Sequence, residues 1–509
     1  MNKKIQPNMK RLRASALIAS ATFIGASALA QDGFVTSIKP YTVPVGGEYQ
    51  VVPILSVGDK VPETSDPSKQ YQMVGIPDGL GAYANPDGTV SVLMNHELTK
   101  NTTSQPVIGG PLNRGALISR FILAQDGSVL SGERAYDTVF DHFAGTSFPA
   151  ADSTNGSRAF SRFCSASIAG PEGGFDRPIY LAGEESGGAD TFDGRGGQLT
   201  ATFDNQIHTL KKFPRIPWEN ALPRPFGGNE VVVMSMEDGP ATPDSQLYMY
   251  VGKKERRAGS SVLSRNGLDN GKVYAFRSKD PSRNSETTFL NGSIIGEWVE
   301  IPNIENLTDA QLEAESDARN AFGFIRTEDG AWSKTSRKDY FFCTTGDASQ
   351  PANKLGRLYH LELNPGNPLK DAKLTVLVNA DQVIAAGGDT VLSPDNMDVN
   401  EDYLMVQEDG TAATRPVMAQ KGRDGSIWRF AIANISAATG QRVAQLNPPG
   451  RDGVPVGPGV WETSGIIDAG ALFGDNTWIF DVQAHRPTNQ PSPGTVEDGQ
   501  LLIMLPTAR

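Results

Sequence analysis

The chain has 509 residues, with 46 Lys and Arg against 58 Asp and Glu, a net charge of −12, and Cys164 and Cys343 as its cysteines. Such acidity excludes a nucleic-acid or anionic-membrane binder, which needs basic patches, and suits a soluble protein that offers carboxylates to hard cations. Two cysteines exclude a disulfide framework, and a chain of this length buries enough surface to fold without one; the pair is left open as one disulfide, two buried thiols or a thiolate on a metal.

The first element in chain order is a leader. Lys3, Lys4, Lys10, Arg11 and Arg13 precede a short uncharged stretch from Ala14 and the small-residue site Ala28-Leu29-Ala30. This is the pattern of a secretory signal peptide, and the apolar stretch is too short for a permanent membrane span, which needs about 20 residues. Leu12 separates Arg11 from Arg13, so there is no twin-arginine pair. Residues 1–30 are expected to be removed on export to the periplasm or cell exterior, and residues 31–509 to form a single domain, monomeric and without a membrane span. Its charge would be −17, because five basic residues leave and no acidic one does.

Past the leader, glycine (54) and proline (34) punctuate short runs rich in Val, Ile, Tyr and Phe, which reads as an all-β protein of many short strands. Asp87-Gly88, Asp126-Gly127, Asn270-Gly271, Asp424-Gly425 and Asp498-Gly499 each precede an apolar run, and Asp-Gly or Asn-Gly predicts a type I′ hairpin. Repeated antiparallel units over more than four hundred residues predict a β-propeller, six-bladed with insertions, with a pair of β-sandwiches as the alternative. One helix is predicted, with Thr308 and Gln311 as a capping box and Gly323 as its stop, inserted before FIRTEDGAW. Trp332, Trp428 and Trp478 lie in apolar runs and read as blade packing.

Acidic residues sit at the ends of apolar runs: Asn95-His96-Glu97, Glu184-Glu185, Glu237-Asp238 and Asp395. Alone, each reads as a solvated turn; carried on different blades they would converge on the propeller axis and need a cation to offset their repulsion. The sequence has no H-E-x-x-H, C-x-x-C or EF-hand loop, and neither a G-x-S-x-G elbow nor a phosphate-binding P-loop. Its five histidines make a His-rich zinc site a poor fit. What remains is metal-assisted chemistry with arginine for anion recognition.

NHE (95–97), the cysteine of RFCSASIAG, GEES (183–186), the glutamate of SMEDG, R-x-E in FIRTEDG and SPDNMD (393–398) follow one another in the order of the PhoX-type alkaline phosphatases, which the chain resembles over most of its length past the leader. The resemblance implies a secreted propeller with ferric iron (Fe3+) and calcium (Ca2+) on its axis that hydrolyses small phosphate monoesters, in some members diesters, without a protein nucleophile. It implies that Cys164 is the iron-bridging thiolate, that Glu185 bridges iron and calcium, and that Glu237, Glu328 and Asp395 are further metal ligands. Arg326 takes the place of the phosphate-binding arginine, and Glu184, His96 and Glu97 are second-rank candidates. Two features depart from that family: PEGGFDRP stands where a Trp-containing turn is usual, and the leader lacks the twin-arginine pair.

The rival readings are a phytase-like or lactonase-like calcium hydrolase, which needs no Cys164, and a non-catalytic calcium-stabilised propeller that binds an extracellular ligand. Late in the chain, Asp481, Gln483 and His485 end an expected blade; His485 reads more readily as a residue closing that blade than as a proton donor. Cys343, in DYFFCTTG, reads as core.

Overall fold

The computed structural model describes residues 36–240, 242–448, 456–485 and 494–507; the expected leader lies outside them. Six units form a ring, each led by an inner strand and antiparallel throughout except where Thr138–Asp141 pairs in parallel with Gln206–Thr209 in the second. The inner strands are Pro77–Ala84, Phe163–Ala169, Trp218–Pro223, Thr327–Trp332, Pro394–Val399 and Glu462–Asp468, of blades 1 to 6 in turn. Each packs beside the next, and the last beside the first, so the ring closes. The fold is an all-β propeller.

The apolar runs on the strands explain this arrangement. Alternate residues point to opposite faces of a strand, and here both faces are buried, so each blade needs a neighbour on either side. The result is one apolar cluster per blade interface. Leu93 and Ile118 of blade 1 meet Phe163 and Tyr180 of blade 2, and Met234 and Phe276 of blade 3 meet Phe342 and Leu374 of blade 4. Val406 and Phe430 of blade 5 pack on Phe341 and Leu358 of blade 4. Trp332, Trp428 and Trp478 are buried in these interfaces.

Two joints are irregular. Ser293–Ile301 pairs with Lys272–Ser278 of blade 3 on one edge and with Ala372–Asn379 of blade 4 on the other, so two blades merge into one nine-stranded sheet. Blade 6 takes its outer strand from the other end of the chain: Tyr49–Ser56 runs antiparallel to Asp498–Pro506. This pairing ties the beginning of the described chain to its end and makes Tyr49–Ser56 the edge of the blade.

The hairpin expectation holds at two of its five places and needs a different turn. Gly88 and Gly127 are left-handed (φ 87° and 86°), while Asp87 and Asp126 keep ordinary φ and accept hydrogen bonds from Thr89 and Ser128. These are type I turns closed by a left-handed glycine rather than type I′ turns. Asp498-Gly499 is itself strand, and neither Gly271 nor Gly425 is left-handed. The helix spans Asp309–Asp317 with the capping box of Thr308 and Gln311 in place. It ends earlier than expected: Asn320, at φ 52°, breaks it before Gly323.

Candidate metal centre

Each inner strand begins at the axis and carries a β-bulge near that end, between Pro77 and Leu80, Phe163 and Ala166, Trp218 and Ala221, Thr327 and Gly330, Pro394 and Met397, and Ser464 and Ile466. A bulge lets one strand re-aim a side chain without giving up its ladder. In five strands the second residue is an acid or a thiol: Asp78, Cys164, Glu219, Glu328 and Asp395. In the sixth it is the first residue, Glu462. Residues just past the bulge corner hold it with their own side chains: Asn220 Oδ1 accepts from Ala221 N at 2.7 Å and Asp329 Oδ1 from Gly330 N at 2.6 Å.

A second tier comes from the residue that follows the second strand of each blade. Glu97, Glu185, Asp238, Thr345, Asp409 and His485 hold this place. In four blades its amide donates to the carbonyl of the residue just before the inner strand: Glu97 to Ile76 (2.9 Å), Glu185 to Arg162 (2.7 Å), Thr345 to Arg326 (3.1 Å) and Asp409 to Ser393 (3.0 Å). Those four acceptors all have positive φ, a conformation that non-glycine residues seldom adopt and that marks functional corners.

The two tiers bring potential ligands together. Asp78, Glu97 and Cys164 form one group, Cys164, Glu185 and Glu219 a second, Glu219, Glu328 and Asp395 a third, and Asp395, Asp409 and Glu462 a fourth, with ligand atoms within 4.8 Å of one another in each. Cys164 Sγ donates to Asp78 Oδ2 at 3.2 Å, and Gln483 Nε2 donates to the same oxygen at 3.0 Å. Glu219 accepts from Ser165, and Asn396 of blade 5 donates to that serine across the axis.

Crowded, buried acids resist ionisation. Desolvation, then the charge of Glu97, pushes Asp78 up to about 7. Burial raises Glu185, Glu219, Glu328, Asp395 and Glu462 well above the usual carboxylate range, and neighbouring carboxylates add to it. The Cys164 thiol is raised by the same two causes. Oxygen donors with a single sulfur and no histidine among the inner-strand groups are a donor set for hard, multivalent cations. One buried oxygen, Glu328 Oε1, makes no hydrogen bond; its near neighbour is Arg326 Nη2 at 3.3 Å. These residues therefore fit a metal centre.

Arg326 stands at the mouth. Its Nε and Nη2 donate to the two oxygens of Asp238, both at 2.8 Å, a bidentate pairing that fixes the plane of the fork. Across from it, Arg162 Nη2 bonds Glu97 Oε1 at 2.5 Å and Glu185 Oε2 at 2.6 Å. His485 lies beside Glu497 (2.8 Å) and Glu462 (3.8 Å). Burial opposes its charge, but Glu497, Glu97 and Asp409 raise its pKa on balance.

The structure brings Cys164, Glu185, Glu328, Asp395, Arg326 and Glu97 together and leaves three expected residues outside. Glu184 is turned away, accepting from the amides of Ser161, Phe192 and Gln198. Glu237 accepts from Gln246 N at 2.8 Å and lies beside Glu313 and Asp244; its place at the mouth is taken by Asp238. His96 is buried against Ser119 Oγ (2.7 Å) and the carbonyl of Gly75 (3.2 Å), and burial lowers it to about 4. Cys343 and Cys164 are both free, with Cys343 Sγ against the carbonyl of Asp395.

Asp78, Glu219, Asp409, Glu462 and Arg162 escaped the sequence reading, and of the Glu237-Asp238 pair the resemblance singled out Glu237 rather than Asp238. A faint signal exists: PDG, FCSA, WENA, TEDG, PDNM and ETSG share an acid or thiol followed within three residues by a small or apolar one. The irregular spacing hid this repeat.

Residues 206–455 match the family described as alkaline phosphatase PhoX. Among solved structures, Pseudomonas fluorescens PhoX in complex with vanadate, a transition state analogue, is similar over 93% of this chain and 98% of its own, with a TM-score of 0.64 at 14% identity. An α-L-arabinofuranosidase of Fusarium graminearum aligns over 89% of this chain and 98% of its own at 11% identity and TM-score 0.41. The periplasmic gluconolactonase of Pseudomonas aeruginosa aligns over 74% and 87% at 9% and 0.34. No curated protein sequence matches. Over residues 206–455 this chain is similar to the PhoX family of alkaline phosphatases, and it shares its fold with the Pseudomonas fluorescens protein.

Proposed function

We propose that this protein is an exported phosphoric ester hydrolase that acts on small phosphomonoesters, with diesters as a second class, at a centre of ferric iron and calcium on the propeller axis. The observation that carries this reading is the convergence of a thiol and carboxylates from all six inner strands beside an arginine fork.

Asp78, Glu97, Cys164, Glu185, Glu219, Glu328, Asp395, Asp409 and Glu462 would hold the cations, with Cys164 and the acids deprotonated by the charge they bind. Bound there, hard cations would polarise the phosphoryl group and make water a competent nucleophile at accessible pH. Arg326 supplies what the carboxylates cannot, a planar donor for non-bridging oxygens. Asp238 orients that fork before substrate arrives, so little reorganisation remains during the reaction. Gln483 of blade 6, bonded to Asp78 and Glu97 (3.2 Å), fixes two ligands of the neighbouring blade 1. Of the residues read late in the chain, Asp481 is buried and His485 lies beside Glu497 and Glu462.

The test is elemental analysis of the protein from its own secretory compartment, together with hydrolysis of p-nitrophenyl phosphate at alkaline pH. Iron and calcium with chelator-sensitive turnover support the reading. Calcium alone without turnover would leave a ligand-binding propeller, and calcium with turnover independent of Cys164 a hydrolase of another class.

A further inference from the structure

Arg162 occupies on blade 2 the position that Arg326 occupies on blade 4. Each immediately precedes its inner strand and stands two residues before a buried ligand, Cys164 or Glu328. Each has positive φ, 48° and 56°, and each carbonyl accepts the amide that follows the second strand of its blade. A backbone in this conformation is strained and persists only where surrounding structure enforces it. The repeat therefore aims two arginines at one mouth.

They are connected there. Arg162 bonds Glu185, the Glu185 carboxylate lies against that of Asp238, and Asp238 bonds Arg326. Two carboxylates thus lie between the guanidinium groups, and each fork has its own acid partners. Arg162 is also the more open of the two, with its side chain 42% exposed against 26% for Arg326. Its acid partners, Glu97 and Glu185, belong to the ligand groups. Once cations take up those charges, the Arg162 charge is left facing the mouth without compensation.

From this juxtaposition we propose that Arg162 is a specificity-determining residue that binds a second anionic group of the substrate, so that the preferred substrates are phosphomonoesters carrying a carboxylate or a second phosphate away from the scissile ester. The inference rests on the phosphatase reading and deepens it. A charge-assisted hydrogen bond to a fork is strong enough to change affinity about tenfold or more, whereas a neutral hydroxyl at the same place gains far less.

The test compares 6-phosphogluconate with sorbitol 6-phosphate, which differ in a terminal carboxylate against a terminal alcohol. The metal-loaded wild type is expected to favour 6-phosphogluconate in kcat/KM by at least tenfold, mainly through KM. Arg162→Gln is expected to bring the ratio within threefold of one, with metal content measured alongside. If Arg162→Gln loses metal, Arg162→Lys carries the comparison: a point charge in place of the fork should forfeit at least threefold of the preference at unchanged metal content. A wild-type ratio near one, a preference untouched in the variant that holds metal, or an equal rise in KM for both substrates would overturn the inference. Failure of the phosphatase reading looks different, because the loaded wild type would then hydrolyse neither compound nor p-nitrophenyl phosphate, and this inference would be withdrawn with it.

Discussion

Cys164 and Asp78 stand on the inner strands of adjacent blades, and Cys164 Sγ donates to Asp78 Oδ2 at 3.2 Å. A thiol buried among carboxylates is raised and is a poor ligand until a cation offsets that cost. Cys164→Ser keeps the hydrogen bond but not the soft, anionic donor. It is expected to lower iron content at least severalfold and turnover about a hundredfold, with little change in the melting temperature of the metal-free protein. Iron content equal to wild type would falsify the bridging role.

Arg326 is held in plane by Asp238 and is expected to clamp phosphate. Arg326→Ala should weaken competitive inhibition by inorganic phosphate at least tenfold, on the order of 1.5–3 kcal/mol for a hydrogen bond to a charged group. Arg326→Lys should recover only part of this, because a lysine cannot reproduce the fork. Inhibition constants within twofold of wild type in Arg326→Ala would remove the residue from the anion site.

The acid pairs divide their work, and this can be tested by contrast. Glu219→Gln removes a member of two ligand groups and should reduce bound calcium or iron measured by elemental analysis. Glu237→Gln should leave metal content unchanged and cost about 1 kcal/mol in urea denaturation, since Glu237 serves the amide of Gln246. The opposite pattern would exchange the two assignments.

Stability without metal should depend on pH with a definite sign. Burial raises Glu184 and Asp329 each to about 8 and, with Glu97, Asp78 to about 7, against about 4 for unfolded carboxylates. Between these values the folded state binds more protons than the unfolded one, so stability falls as pH rises. The metal-free protein is expected to lose melting temperature steadily from about pH 4 to pH 8, and added calcium to restore it most at the alkaline end. A flat or rising profile in the chelated protein would mean that these carboxyls ionise freely in the fold.

Close approach at the axis leaves no room for a side chain at Gly79. A Cβ there would overlap the backbone of Ser165 and Ala166 on the next inner strand. Gly79→Ala should cost about 1–3 kcal/mol, the range for overpacking, and should depress metal binding by moving Cys164. Unchanged urea midpoint and metal content would show that the inner strands can separate.

The sequence by itself determined the class of the fold and the order of its chemistry. Short apolar runs between glycines and prolines dictate strands buried on both faces, and ordered motifs identified Cys164, Glu185, Arg326, Glu328 and Asp395 as residues the axis now brings together. It could not say which member of a pair faces the mouth. Glu184 and Glu185, or Glu237 and Asp238, differ by one position at a strand end, and one position is the whole difference between the two faces of a strand. In both pairs the first acid answers amides of nearby loops and the second reaches the mouth. Nor could it bring Asp78, Glu219 and Glu462 to one axis, because they come from strands more than a hundred residues apart. Their meeting depends on closure of the ring and on bulges that re-aim one residue per inner strand, which only the tertiary structure decides.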